Sequence, residues 1–213
     1  FRLVKGDLEI DGGRIKQAAA HLPYSQDDMV VDCEGYTIVP GFVDVHIHGC
    51  AGTDTCDGSR EAIDNMARFL ITKGVTSFCP TTMTVDRDTI RKALLAAKEC
   101  MEQPAEDGAR VVGVNMEGPF ISVERKGAQK ADAIVGPDFE LFQEFYELSG
   151  RAVRLVDIAP EQPGGYEFAE KAKDLCTVSI AHTTAGYDEA EKAFDCGITH
   201  ATHLFNAMTG LTH

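Results

Sequence analysis

Residues 39–49 read VPGFVDVHIHG, an apolar run that ends in two histidines. Alternate side chains of a β-strand point to the same face, so His46 and His48 would be directed at one point, with Asp44 on their face. Imidazole pairs at close spacing are common ligands of divalent metals. The stretch therefore predicts a strand in a buried sheet with a metal site at its end. A pair of hydrogen-bonded polar histidines is the alternative.

Beyond residue 49, strand-like and helix-like segments alternate along the chain. Strands are predicted at residues 74–79, 111–117, 153–159, 177–182 and 198–203, and helices at 59–73, 88–102, 139–148, 166–175 and 188–194. Such alternation is typical of a parallel sheet built from βαβ units. With the strand at 39–49 there are six strands. They predict an α/β fold with about six of the eight units of a (β/α)8 TIM barrel.

The first 38 residues have a different pattern. Residues 6–15 read GDLEIDGGRI, in which the glycines suit the positive φ angles of a tight hairpin turn. Residues 29–32, with the sequence MVVD, suggest a further short strand. We therefore expect residues 1–38 to be a partial β-sandwich-like domain and residues 39–213 to be an incomplete barrel domain.

Ligand-type side chains stand at the predicted carboxyl ends of four strands. In addition to His46 and His48, Glu117 ends the strand at 111–117, and His182 and His203 end the last two strands. The carboxyl ends of barrel strands meet at one mouth, where the chemistry of these folds gathers. The five residues are therefore predicted to form one metal site.

Two cysteines and two further histidines are weaker candidates for the metal site. Cys50 and Cys56 lie close to the histidine pair in the sequence, which leaves a ligand role open for them. His200 is predicted to lie on the strand face opposite His203, and His21 falls in a polar stretch. Neither histidine is expected to take part in the site.

Composition restricts the partners of the chain. It carries 20 Lys and Arg residues against 34 Asp and Glu residues, a net charge of −14, which disfavours nucleic acids and anionic membranes. The seven cysteines show no zinc-ribbon spacing and are typical of reduced thiols in a cytoplasmic protein. Since the printed sequence has neither a signal-peptide pattern nor a long apolar run, secretion and membrane spanning are not expected.

Several motifs together point to one family. They are PGFVDVHIHG at residues 40–49, PTT at 80–82, MEGPF at 116–120, KGA at 126–128, AHT at 181–183 and ATHLFNAM at 201–208. On these motifs the chain resembles the N-acetylglucosamine-6-phosphate deacetylases of the amidohydrolase superfamily. The resemblance covers nearly the whole chain, and the last motif is the most specific of the set.

The resemblance implies an activity and a metal site. The activity is hydrolysis of the acetamide of N-acetylglucosamine 6-phosphate to glucosamine 6-phosphate and acetate. By resemblance, Glu117, His182 and His203 would bind the principal divalent cation, zinc or iron. Members with a histidine pair such as His46 and His48 hold a second cation, with the glutamate bridging the two. One or two ions are therefore expected.

The resemblance also implies substrate contacts. Asn206 and Ala207 would contact the sugar phosphate, and Ala128 and Gln129 the sugar. Many members of the family have histidine where this chain has Gln129. Glutamine can donate and accept hydrogen bonds but cannot become cationic, so a charge-based role at this position does not carry over.

Other parts of the family pattern are expected outside this sequence. The resemblance implies two more barrel strands, an arginine, a histidine and the general-base aspartate, all beyond His213. We therefore expect the chain to belong to a longer, homodimeric protein and to have little activity alone. Two alternatives stay open: a different amidohydrolase substrate, such as N-acetylgalactosamine 6-phosphate, or a non-catalytic metal-binding fragment.

Overall fold

The computed structural model describes residues 2–210, and the chain divides into two compact units. The first unit extends to Pro40 and the second begins at Gly41. The division falls close to the expected boundary after residue 38. The assignment of the first unit to a sandwich-like domain stays a prediction.

The first unit contains the predicted hairpin. Strand β1 (Asp7–Asp11) pairs with strand β2 (Arg14–Ala19) in antiparallel orientation, and Gly12 and Gly13 between them have φ angles of 57° and 74°. The predicted strand at residues 29–32 is wrong, because residues 20–40 form neither helix nor strand. The side chain of Met29 is 93% exposed, and a strand without a hydrogen-bonded neighbour and a buried face is not stable.

The second unit is built on a parallel sheet. Its six principal strands are β3 (Phe42–Ile47), β6 (Val75–Thr82), β8 (Val114–Glu117), β9 (Val153–Ile158), β10 (Thr177–Ile180) and β11 (His200–Ala201). They neighbour one another in that order, each parallel to the next. Three short strands complete the set: β7 (Arg110–Val111), which pairs with β6, and the antiparallel pair β4 (Gly49–Cys50) and β5 (Thr53–Asp54). The predicted (β/α)-barrel class is confirmed.

Helices alternate with the parallel strands, as the sequence predicts. They are α1 (Arg60–Ile71), α2 (Arg87–Glu102), α3 (Phe139–Leu148), α4 (Gly165–Ala172) and α5 (Tyr187–Asp195), with 3₁₀ turns at Thr55–Asp57, Val123–Arg125 and Ala131–Ala133. Ser59, Asp86 and Asp138 cap the first three helices, because each side chain accepts a hydrogen bond from a main-chain N–H of the first turn.

Within residues 2–210, no helix is both long enough and apolar enough to cross a bilayer.

The core lies between the helices and one face of the sheet. Large apolar side chains of the helices and strands are fully buried there; they include Ile63, Met66, Phe78, Leu94, Phe142 and Phe168. Each contributes about 1.5–3 kcal/mol by leaving water. Polar side chains alternate with the apolar ones along the inner strands and are also buried: Asn115, Glu117, Asp157 and Ser179. The polar face of the sheet is where the candidate site is found.

The first barrel strand begins with exposed apolar side chains. Phe42 and Val43 of β3 are 62% and 61% exposed. The reason is that β3 lies at one edge of the strand order in the described residues. Its face with Asp44, His46 and the following His48 turns towards the candidate site.

Candidate metal centre

Glu117, the last residue of β8, is the centre of a group of five side chains. Its carboxylate is 2% exposed, and its Oε1 atom lies 3.0 Å from Nε2 of His182 and 2.9 Å from Nε2 of His203. Its Oε2 atom lies 2.9 Å from Nε2 of His48, while Nε2 of His46 is 3.6 Å from Oε1. The structure therefore brings together all five residues that the sequence selected.

The five side chains form two overlapping groups of donor atoms. One group is His46, His48 and Glu117, and the other is Glu117, His182 and His203. Within each group the donor atoms all lie within 4.8 Å of one another. Glu117 belongs to both groups, so each of its two oxygens can serve a different position.

Two of the histidines follow their strands in an unusual backbone conformation. His182 has a φ angle of 45° and comes shortly after β10, and His203 has a φ angle of 38° and comes shortly after β11. Residues other than glycine rarely adopt a positive φ angle, and each one that does costs the folded state on the order of 1–3 kcal/mol. Such strained residues persist only where contacts with the surrounding structure fix their conformation, and they are found most often at functional sites.

Glu161 provides some of this support for the segment after His182. Its carboxylate accepts hydrogen bonds from Thr183 Oγ1 at 2.5 Å, from the Thr184 main-chain N–H at 2.8 Å and from Thr184 Oγ1 at 2.9 Å. The sequence analysis missed Glu161. Its position just beyond the carboxyl end of β9 was the available signal, since residues there face the same mouth.

The residue after Glu117 must be glycine. Gly118 has a φ angle of 78°, and a Cβ atom at this position would overlap Oγ1 of Thr84. The close approach of the two segments places Oγ1 of Thr84 3.5 Å from the main-chain carbonyl oxygen of Glu117. A larger residue would push these segments apart.

Three of the histidines hold their ring orientation in the same way. In each one, Nδ1 lies against a main-chain carbonyl oxygen. The pairs are His48 with Thr81 at 3.2 Å, His182 with Arg125 at 2.8 Å and His203 with Asn206 at 3.0 Å. A carbonyl oxygen only accepts hydrogen bonds, so Nδ1 of each ring carries the hydrogen and Nε2 is left with its lone pair in the neutral form.

The donor set fits a cation. The Nε2 atoms of His182 and His203 are 3.2 Å apart, and both face Oε1 of Glu117. In the neutral rings, three lone pairs then converge on one point in a buried setting. Lone pairs at this spacing need a positive charge between them, either protons or a metal ion. Ligand histidines with Nδ1–H on a carbonyl are the usual arrangement around protein-bound metals.

Burial and the contacts with Glu117 shift the pKa values of the side chains in this group. Burial raises the pKa of Glu117, but hydrogen bonds from His182, His203 and His48 outweigh burial and keep it well below its ordinary value. The hydrogen bond to Glu117 raises the pKa of His203. Burial lowers the pKa of His48, but its contacts with Glu117 raise it more. Burial alone dominates at His46, whose pKa is lowered.

Gln129 lies beside the carboxylate of Glu117. It is 3% exposed; its Nε2 donates to Oε2 of Glu117 at 2.5 Å, and its Oε1 accepts from the main-chain N–H of Thr84 at 2.7 Å. Both ends of the amide are therefore used within the protein. A sugar contact by Gln129, which the resemblance implies, stays a prediction.

The other predicted substrate residues lie near the same rim. Ala128 and Asn206 are exposed. The carbonyl of Asn206 accepts the hydrogen bond from His203, and the carbonyl of Ala207 accepts one from the Thr183 N–H at 3.1 Å. The main chain of this segment thus helps to hold both ligand-type histidines.

The cysteines do not join the donor groups. Cys56 accepts a hydrogen bond from the Met83 N–H at 3.2 Å, and burial raises the pKa of its thiol to about 11. Burial also raises the pKa of Cys50. Both are therefore thiols at neutral pH. All seven cysteines of the chain are free, as expected.

The two histidines that were set aside are not members of the two donor groups found among the described residues. His21 is in the first unit, 3.1 Å from Asp7. His200 starts a chain of hydrogen bonds beneath the site, in which its Nδ1 lies 2.9 Å from Ser179 Oγ. The chain continues over 2.7 Å to Thr202 and over 2.7 Å to Asp157.

Asp157 is a second buried carboxylate that the sequence analysis missed. It is 0% exposed, lies opposite Glu117 in the register of β8 and β9, and its Oδ2 has no hydrogen-bond partner. Burial raises its pKa to about 7. The signal was an acidic residue within the otherwise apolar end of β9.

The fold and the site define a class of protein: a (β/α) barrel with a candidate metal centre at the carboxyl ends of its strands. Comparison with known sequences gives the family. The family model described as "Amidohydrolase family" matches residues 37–212. The chain belongs to the amidohydrolase family.

Individual relatives are similar to this chain over most of its length. The chain is 36% identical over 210 residues to the N-acetylglucosamine-6-phosphate deacetylase of Lysinibacillus sphaericus, covering 97% of this chain and 53% of the relative. It is 31% identical over 186 residues to the N-acetylgalactosamine-6-phosphate deacetylase of Escherichia coli O157:H7, covering 86% of this chain and 49% of that relative. The chain thus spans about half the length of these curated relatives.

A solved structure agrees with the fold. It is an N-acetyl-D-glucosamine-6-phosphate deacetylase mutant from Mycobacterium smegmatis in complex with N-acetyl-D-glucosamine-6-phosphate. The TM-score is 0.87 at 28% sequence identity, covering 97% of this chain and 53% of the other.

Proposed function

We propose that this chain serves in the hydrolysis of N-acetylglucosamine 6-phosphate to glucosamine 6-phosphate and acetate. The observation that supports this most strongly is the group of four histidines around the buried carboxylate of Glu117, at the carboxyl ends of parallel strands. The similarity to deacetylases over nearly the whole chain supports the choice of substrate.

Glu117, His182 and His203 would hold the principal cation. His48 and Oε2 of Glu117 would hold a second cation, at a position that His46 also lines. Zinc or iron suits this set, because imidazole nitrogen and carboxylate oxygen are common ligands of both metals. When bound, such a cation polarises an amide carbonyl and activates water for attack.

Glu117 would hold the site together and would not move protons. Both of its oxygens already face histidine nitrogens at about 3 Å, and its pKa is well below the ordinary value, so it is a poor proton acceptor. Breaking the C–N bond of the acetamide requires a proton for the leaving amine. By resemblance, an aspartate outside this sequence would transfer that proton from the attacking water.

Ala128, Gln129, Asn206 and Ala207 would contact the phosphorylated sugar. The chain has a net charge of −14, so an anionic substrate needs local hydrogen-bond donors. Exposed Asn206, next to the ligand-type histidine His203, supports such a role. In the natural protein that contains this chain, Asn206→Ala should raise KM for the phosphorylated sugar more than for its unphosphorylated analogue.

We propose a cytoplasmic location, which the seven free cysteines support. A homodimer is proposed for the natural protein on the resemblance alone. Size-exclusion chromatography with light scattering would test it.

The function can be tested by measuring acetate release from N-acetylglucosamine 6-phosphate by the natural protein that contains this chain. Release should cease after chelation, return with zinc or iron, and be absent in Glu117→Ala. Glu140→Ala, at an exposed position of α3, is the matched control and should behave as the unmodified protein.

Acetate release from N-acetylgalactosamine 6-phosphate should be measured in the same assay as release from N-acetylglucosamine 6-phosphate. Faster release from that epimer would favour the second substrate, for which the similarity to the galactosamine-type relative is the specific observation. Metal binding without acetate release from either sugar would contradict the enzymatic proposal and favour a binding role.

A further inference from the structure

His46 differs from the other three histidines around Glu117 in the group that faces its Nδ1 atom. Instead of a carbonyl oxygen, the side-chain nitrogen Nδ2 of Asn115 lies there, at 3.3 Å. The same Nδ2 lies 3.0 Å from the main-chain carbonyl oxygen of Val45. Asn115 is on β8, two residues before Glu117, and is 1% exposed.

The Val45 carbonyl fixes which end of the amide faces His46. A carbonyl oxygen only accepts hydrogen bonds, so the Asn115 atom beside it must be the NH₂ group and not Oδ1. The two hydrogens of this group serve the two acceptors, one on Val45 and one on His46. Oδ1 of Asn115 has no hydrogen-bond partner. Turning the amide over would set two acceptor oxygens against each other.

The hydrogen position in His46 follows. Nδ1 accepts from Asn115, so it bears the lone pair, and the ring hydrogen is on Nε2. Nε2 is the atom that faces Glu117, at 3.6 Å. An imidazole nitrogen that carries hydrogen has no lone pair to offer a cation. His48, two residues further, has the opposite arrangement because its Nδ1 faces the Thr81 carbonyl.

We infer that Asn115 holds His46 in the tautomer that cannot bind a cation through Nε2, so that the position beside His48 is much weaker than the position at His182 and His203. The inference rests on the proposed metal site and adds a positioning role for Asn115 within it. The chain then holds one cation tightly, at Glu117, His182 and His203. The second is held by His48 and one oxygen of Glu117, with His46 held away from ligation.

The tautomer can be tested without any metal. Long-range ¹H–¹⁵N correlation spectra of metal-free protein at alkaline pH distinguish Nδ1–H from Nε2–H imidazoles, and His46→Gln assigns the His46 signals. We expect Nε2–H for His46 and Nδ1–H for His48. An Nδ1–H form of His46 in the unmodified protein would overturn the inference, whether or not the protein binds metal.

The consequence for metal binding can be tested by titration with zinc alone. The unmodified protein should take up one equivalent tightly and a second weakly. Asn115→Ala removes the donor and should strengthen the second equivalent by up to about 10-fold, which is what the loss of one competing hydrogen bond amounts to, with the first unchanged. Asn115→Asp, which offers an acceptor to Nδ1–H, should act in the same direction.

Asn65→Ala is the matched control. Asn65 also donates its amide to a main-chain carbonyl, that of Ala51, but does not touch the histidine group. Its replacement should leave both equivalents unchanged. A second equivalent that stays weak in Asn115→Ala and in Asn115→Asp would overturn the inference. The lack of any tight equivalent in the unmodified protein would instead contradict the proposed metal site.

Discussion

The two oxygens of the Glu117 carboxylate have different surroundings. Oε1 faces His182 and His203, which come from the far end of the strand order and whose Nδ1 atoms are held by main-chain carbonyls. Oε2 faces the amide of Gln129 and His48, whose Nδ1 is also held by a carbonyl. The fourth histidine, His46, is the exception: its Nδ1 faces Asn115, and its Nε2 lies 3.6 Å from Oε1. Judged by residue type alone, the two oxygens with their histidines would bind a cation equally well. The difference teaches that the hydrogen-bond partners of the ligands decide which side is ready for a cation.

Loss of Glu117 should have the largest effect on metal content, because its carboxylate serves both sides. We expect Glu117→Ala, purified from cells and measured by elemental analysis, to hold close to no bound cation, while Glu140→Ala holds as much as the unmodified chain. Retention of the full amount in Glu117→Ala would show that the cations bind elsewhere.

Replacing single histidines should separate the two sides. We expect His203→Ala to lose the tightly held equivalent, with a fall in zinc affinity beyond the about 10–100-fold that follows loss of a ligand's hydrogen-bond partner. His46→Ala should keep it. The two variants can be compared in one competition assay with a chromogenic chelator. Equal losses in both would remove the distinction between the two sides.

The sequence was sufficient to predict the six parallel strands and the coming together of five ligand-type side chains. The pattern of apolar residues shows which segments are buried strands and which are helices packed on them. The carboxyl ends of the strands in a parallel barrel all meet at one mouth, so residues at those ends lie together. The tautomer of His46 could not be predicted, because it depends on an Asn115 contact across 69 residues of sequence. The exposed residues 29–32 were predicted wrongly, because an apolar tetrapeptide does not reveal whether a strand partner exists.

The pKa of Asp157 allows a test of how dry the protein interior is beneath Oε1 of Glu117. Burial raises its pKa to about 7 from an ordinary 3.8. The folded chain therefore keeps this proton to higher pH than the unfolded chain, and the unfolding free energy should fall as the pH rises between those two values. The fall attributable to this group is on the order of a few kcal/mol.

Asp157→Asn should remove that fall while keeping the hydrogen bond with Thr202. Urea unfolding of the metal-free chain at several pH values gives the difference between the two proteins, in which the opposite contribution of Glu117 cancels. The variant should become the more stable of the pair above neutral pH. Parallel pH profiles would mean that the Asp157 carboxyl is not held in a dry interior.

The smallest effect on the tight cation is expected from Gln129, since its amide contacts Oε2 and the tight position uses Oε1. Gln129→Ala leaves the carboxylate bound to His182 and His203, so zinc affinity at the first equivalent should fall by less than about 10-fold, the lower end of what such partners contribute. Gln143→Ala, exposed on α3, is the matched control and should not change the affinity. A loss in Gln129→Ala as large as that in His203→Ala would mean that the carboxylate moves as one rigid group, and that its two sides cannot be treated separately.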